Sequence, residues 1–312
     1  MALTLVAAAC GGGDEGTDLG TASGGDLSGS VNLDGSSTVG PLSEVAAELF
    51  MQENPGVQVS VAISGTGGGF EKFCQGETDG NNASREIKEE EVSLCEQRSI
   101  AYDNVQVAND ALSAVVHPDF PLDCMTPDQL NQIWDEGSAV SAWGDVEGLD
   151  LPDDAATESV TLFGPGSDSG TFDFFTDAIN GEEGRIRNDY TDIGEDDQAA
   201  VQGVSGDEWA MAYIPYSFVQ EAGDSVKPLA IDDGGGCVEA TLENVQSGDY
   251  TPLGRPLFLY ASDTALARPE VVAFFDFYIE NQAEIAEAAG YVPMNDEQAA
   301  AAQEQVATLA GA

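Results

Sequence analysis

Positive charge is what this sequence has least of: its 312 residues carry nine Lys and Arg against 57 Asp and Glu, for a formal net charge of −48. A nucleic-acid partner is therefore excluded, because binding a polyanion depends on several cationic groups displacing its counterions. Histidine is scarcer still. His117 is the single copy and no Cys-x-x-Cys pair occurs, so the spacing of a zinc site and the histidines of a dinuclear centre are missing, and neither metal nor cofactor is expected. No apolar run reaches the ~18 residues that a membrane-spanning helix needs. The negative charge is not gathered in a tail but spread, as in Lys88-Glu-Glu-Glu91 and Glu195-Asp-Asp197. Two readings fit that spread: a salt-adapted surface whose carboxylates need abundant counterions, or an ordinary acidic exported protein.

What is present argues for a folded body. At 42% hydrophobic residues the chain can bury a substantial core, and its length favours two globular domains. The start is apolar up to Ala7-Ala-Ala-Cys10, and a run rich in Gly, Ser, Thr and Asp follows. This pattern reads as the end of a secretory signal with a lipid-carrying Cys10, then a flexible tether through residue 30. The basic start is missing and Ala7 stands where Leu is usual, so the expectation includes a true start codon further upstream. Four cysteines remain, Cys74, Cys95, Cys124 and Cys237, an even number that suits disulfides in an exported chain.

Three stretches share one design, a strand, then a turn of Ser, Thr and Gly, then a helix. They are Asp34-Gly-Ser-Ser-Thr-Val-Gly-Pro41, Ser64-Gly-Thr-Gly-Gly-Gly69 and Leu162-Phe-Gly-Pro-Gly-Ser-Asp-Ser-Gly-Thr171. Each places hydroxyls and backbone N–H groups at a helix entrance, where the first amides lack intrahelical acceptors and the helix dipole favours an anion. The second stretch lacks the Gly-Lys-Ser/Thr of a nucleotide loop and the third Gly of a dinucleotide fingerprint, so the anion is small. Long extended segments at 102–116 and 255–260, a helix capped by Thr126 with Pro127 at its first position, and alternating strands and helices elsewhere argue for α/β layers.

Together with Asn82-Ala-Ser-Arg85 and Val201-Gln-Gly-Val204, these segments resemble the phosphate-binding lipoproteins of phosphate ABC importers, the PstS family, over roughly Val31 to Met294. The resemblance implies a two-lobed type II periplasmic-binding-protein fold: lobe one from 31–113 plus 256–312, lobe two from 114–255, and two crossover strands near Ala111–Val116 and Arg255–Tyr260. It implies inorganic phosphate as ligand, a membrane permease as partner, a monomer held by its lipid outside the cytoplasm, and no catalysis. Carried over by motif, the phosphate ligands are Ser36, Ser37 and Thr38, then Thr66, Gly67, Gly68, Ser84 and Arg85, then Asp168, Ser169, Gly170 and Thr171. Here Arg85 replaces the family's Asp after Ala-Ser, and Pro165 stands where an Arg is common. Arg85 is thus expected to be the site's one full positive charge, with Lys72, Arg185 and Arg187 as substitutes and pairing with Glu86 or Glu89 as the alternative. Cys74–Cys95 and Cys124–Cys237 are the expected disulfides, since each stays within one implied lobe.

Two rivals remain. Another tetrahedral oxyanion, sulfate or arsenate, suits the same turns. A hydrolase would use Ser169 of Asp168-Ser169-Gly170, which is similar to the nucleophile segment of chymotrypsin-like proteases, with His117 as base; the missing second glycine and the α/β pattern count against it.

Overall fold

The computed structural model describes residues 27–311; Cys10 and most of the expected tether lie outside them. The chain begins β1 (Gly29–Gly35), α1 (Gly40–Glu53), β2 (Val57–Val61), α2 (Gly65–Cys74), β3 (Gly80–Ala83), α3 (Glu89–Arg98) and β4 (Tyr102–Val116). The middle holds β5 (Cys124–Met125), α4 (Pro127–Trp134), β6 (Thr161–Gly164), α5 (Gly170–Asn180), β7 (Thr191–Asp192), α6 (Asp197–Gly206), β8 (Ala210–Pro215), α7 (Tyr216–Ala222), β9 (Lys227–Pro228), β10 (Ala230–Asp232), β11 (Cys237–Val238) and α8 (Leu242–Ser247). The end is β12 (Gly254–Ser262), α9 (Asp263–Leu266), α10 (Pro269–Glu280), α11 (Gln282–Ala288) and α12 (Asp296–Gly311).

Among the described residues, one curled sheet runs β2-β1-β3-β12-β4-β8-β6-β7, with β9 also on β4. The long strand β4 makes it continuous. Up to Ala111 it pairs with β12, and from Leu112 onward it pairs with β8, so the hand-over between the two halves of the fold falls between adjacent residues. One core gathers Val31, Leu42, Phe50, Leu257, Phe274 and Tyr278 from the two ends of the chain. A second gathers Leu130, Trp134, Leu162, Phe175 and Tyr213 from the middle. The helical spacing decides which faces turn inward: Leu42, Ala46 and Phe50 of α1 are buried, and the ring of Phe50 meets that of Phe274 edge-on at 5.4 Å. Each such aromatic contributes about 2–3 kcal/mol by leaving water.

Cys74–Cys95 ties α2 to α3, and Cys124–Cys237 ties β5 to β11 in a small sheet of β11, β10 and β5. Thr126 caps α4 as its sequence indicates, accepting from the Gln129 amide while Gln129 reaches back. One local reading needs correction: the glycine-rich Ser64–Gly69 is not a loop before a helix, because α2 already begins at Gly65.

Candidate functional site

Two of the Ser/Thr/Gly turns are knitted together behind the cleft. At the end of β1, Gly35 has φ +134° and any Cβ there would lie 2.2 Å from the Asn82 carbonyl oxygen, so only glycine fits. Beside it Asp34 Oδ1 accepts from the Gly35 amide at 2.8 Å and the Ser64 hydroxyl at 2.7 Å, while its other oxygen takes the Lys72 ammonium. Burial pushes the Asp34 carboxyl up, but Lys72, Ser64 and Gly35 outweigh it and the net shift is downward. Ser36 Oγ accepts from the amides of Thr38 (3.1 Å) and Val39 (3.4 Å), which fixes the turn and leaves the hydroxyls of Ser37 and Thr38 to meet Asp173 and Arg255. At the N-terminus of α2, the hydroxyls of Thr66 and Ser84 lie 3.0 Å apart, both buried. A Cβ on Gly69 would lie 1.9 Å from Asn81 Oδ1, so glycine lets this helix end press against β3.

The third turn comes from the other half of the fold. Ser169 caps α5, its Oγ accepting from the Thr171 amide at 3.2 Å. Gly170 then meets the first turn: a Cβ on it would stand 3.0 Å from Thr38 Oγ1 and 3.2 Å from the Thr38 nitrogen. Beside it, the Ser37 hydroxyl donates to Asp173 Oδ2 at 3.3 Å. Burial raises the Asp173 carboxyl, with Ser37 and Arg255 pulling it back. A cavity of about 100 Å³ opens beside this contact, lined by Thr38, Asp110, Gly170, Thr171, Ser217 and Tyr291 among others. It holds only a few groups the size of water, at ~30 Å³ each.

Two arginines flank these turns. Arg85 forms a fork with Glu91, Nη1 to Oε2 at 2.9 Å and Nη2 to Oε1 at 2.8 Å, and Nη1 also donates to the Glu86 carbonyl at 3.0 Å. That hydrogen-bonded carboxylate raises the pKa of Arg85, against the effect of burial. Arg255 stands on β12 opposite Asp110 of β4. Its Nε and Nη2 donate to Asp110 Oδ2 at 3.3 and 3.2 Å, Nη2 also donates to Thr38 Oγ1 at 3.1 Å, and its guanidinium carbon lies 3.6 Å from the ring centre of Phe174. Burial pushes the Asp110 carboxyl up and the Arg255 guanidinium down, their attraction opposing both; the arginine stays charged.

A family model described as a PBP superfamily domain matches residues 20–282. Protein SphX of Synechococcus elongatus is 39% identical over 85% of this chain and 77% of its own length. The phosphate-binding protein PstS of Staphylococcus saprophyticus is 36% identical over 93% of this chain and 86% of its own. Among solved structures, a possible phosphate binding protein from Planctomyces limnophilus superposes with a TM-score of 0.84 at 40% identity, covering 91% of this chain and 99% of that one. The chain belongs to the PBP superfamily, among its PstS-type phosphate-binding proteins.

In this PstS-type cleft Ser37, Thr38, Ser169, Gly170 and Thr171 come together across the two halves, and Thr66, Gly67, Gly68, Ser84 and Arg85 form a second group around α2. Ser36 serves its own turn. Asp168 is exposed, and the carboxylate that faces the opposite turn is Asp173. Besides Arg85 a second cation, Arg255, stands against Thr38, and the carboxylate that pairs with Arg85 is Glu91, not Glu86 or Glu89. Lys72, Arg185 and Arg187 are paired with Asp34, Asp135 and Asp189. The pointer to Arg255 was in the sequence: a cation inside an apolar strand, in a chain with nine cations in all. For a hydrolase the geometry is poor, since Ser169 Oγ accepts from Thr171 and His117 Nδ1 accepts from Asp119 at 3.1 Å.

Proposed function

We propose that this PstS-type chain captures inorganic phosphate between its two lobes outside the cytoplasm and delivers it to an ABC permease, held at the membrane by a lipid on Cys10. Lobe one is 31–113 plus 256–312 and lobe two is 114–255, a division supported by cores that draw on residues up to Ala108 and from Leu257 in one case, and on Ala111 to Leu253 with Val292 in the other. The observation that carries the reading is the approach of Gly170 to Thr38, where a Cβ would lie 3.0 Å from the threonine oxygen. It brings two helix-entrance turns, rich in hydroxyls and amides, face to face around a space fit for one small anion. Ser37, Thr38, Ser169, Gly170 and Thr171 supply these donors, while Thr66, Gly67, Gly68, Ser84 and Arg85 form the wall from α2. The net charge of −48 repels anions at long range, so capture rests on these local donors, and molar salt favours it by cutting the Debye length to about 3 Å.

Calorimetric titration and thermal melting of anion-stripped protein with phosphate, arsenate and sulfate test this. Phosphate is expected to bind tightest and to raise stability by about 2.7 kcal/mol at a hundredfold excess over its Kd. Preference for sulfate, or no response to any of the three, overturns it.

A further inference from the structure

The hinge and the anion site share one side chain. Arg255 lies on β12 beside the point where β4 passes from β12 to β8: Arg255 pairs with Asp110, Gly254 with Ala111, and Leu112 already pairs with Pro215 of β8. From there its guanidinium touches three bodies at once. One edge holds Asp110 on the neighbouring strand, Nη2 reaches Thr38 in the first lobe's turn, and the flat face lies 3.6 Å from the ring centre of Phe174 in the first turn of α5 in the second. No acceptor among the described residues takes a hydrogen from Nη1, and that nitrogen is not among the buried unpaired ones, so with the side chain 16% exposed it is open to water or to a ligand. An arginine has five donors in a rigid fork, so this one is committed on one side and open on the other.

We propose that Arg255 is the cation that binds the oxyanion and that, through it, anion binding is coupled to closure of the lobes. The inference rests on the phosphate reading above. Its Nη1 edge donates to an anion seated against Thr38 and the Gly170–Thr171 amides, while the other edge stays on Asp110. Rotating the lobes apart about the β4–β12 pair withdraws either Thr38 or Phe174 from the guanidinium, so the full set of contacts exists only in the closed form. A ligand bound by that set favours the closed form by its differential affinity for it. Asp110 orients the fork and holds its charge in the absence of ligand.

The test uses Arg255→Gln/Asp110→Asn, which removes both buried charges together and leaves none unpaired, beside Arg255→Lys and the wild type. Each is titrated with phosphate and sulfate and checked for folding by melting; closure is read at saturating ligand by small-angle X-ray scattering. The double variant is expected to bind phosphate at least thirtyfold more weakly and to show a smaller contraction at saturation. Arg255→Lys, with the charge but neither the fork nor the stacking face, is expected to regain part of the affinity and little of the contraction. If the arginine serves only to neutralise Asp110, the double variant binds like the wild type, and that result overturns the inference while leaving the phosphate reading intact. Weak binding with full contraction overturns the coupling. A wild type that binds neither anion removes the phosphate reading and this inference with it.

Discussion

Arg85 and Arg255 flank the same cleft, and the comparison separates a charge that is spent from one that is available. Arg85 is 25% exposed and both of its terminal nitrogens are matched to the two oxygens of Glu91. Arg255 is 16% exposed and shares a single oxygen of Asp110, with the rest of its surface on Thr38 and Phe174. Each guanidinium makes three hydrogen bonds and keeps two of its five donors, but those of Arg85 are split between Nε and Nη2, whereas both of Arg255's sit together on Nη1. In a chain so poor in cations, the position of the partner carboxylate decides which arginine can receive an anion.

The largest expected effect comes from removing the partner of the available one. Asp110→Asn leaves Arg255 largely buried without its counter-charge and is expected to cost about 3 kcal/mol of stability, as measured by denaturant unfolding without ligand. Phosphate then takes the place of the lost carboxylate, so the stabilisation by phosphate is expected to exceed that of the wild type. Equal stabilisation in the two proteins breaks the comparison. Next in size is Gly170→Ala, whose Cβ would sit 3.0 Å from Thr38 Oγ1. Pushing the turns apart is expected to weaken phosphate binding by about 1–3 kcal/mol, roughly ten- to a hundredfold, with little change in melting of the free protein. Unchanged affinity would mean the turns do not close on the ligand.

Glu91→Gln sharpens the contrast from the other side. With Arg85 partly solvated, its loss is expected to cost about 1 kcal/mol or less in unfolding experiments. A cost matching that of Asp110→Asn erases the distinction between the two pairs.

The smallest effect concerns a carboxylate with no cation at all. Burial first, then Glu195 and Asp196, push the Asp197 carboxyl from 3.8 up to about 7. The folded protein therefore holds this proton more tightly than the unfolded chain does, and the contribution to stability is whole below pH 3.8 and lost as pH rises through 7. After discounting for solvent screening, Asp197→Asn is expected to be more stable than the wild type by about 1 kcal/mol at pH 8 and equal to it near pH 4. A difference independent of pH contradicts this.

What the sequence made legible followed from local chemistry. Ser169 and Thr126 cap the helices their spacing indicates, and Phe172, Phe175 and Ile179 form the inner face of α5. The extended segments that became β4 and β12 were visible from composition, but their register was not, and it is the pairing of Arg255 with Asp110 that sets a cation beside Thr38. The strand β3, Gly80-Asn-Asn-Ala83, has no β-branched residue and exists because β1 and β12 pair with it on either side. The first five residues of α2 include four glycines and are still helical, since Gly69 must let Asn81 and Gly35 come close; packing overrides propensity there. Glu91 was within reach of a sequence reading, as the third residue of a helix whose capping it completes at Lys88.

Phosphate is expected where the two lobes meet at the hinge, on the arginine whose Nη1 edge no carboxylate occupies. A crystal structure of the phosphate-loaded protein tests it most directly. The expected result is phosphate between Thr38 and the Gly170–Thr171 turn, with Arg255 Nη1 within about 2.7–2.9 Å of a phosphate oxygen and Arg85 still forked on Glu91. Phosphate held by an Arg85 released from Glu91, with Arg255 bonded to Asp110 alone, would contradict it.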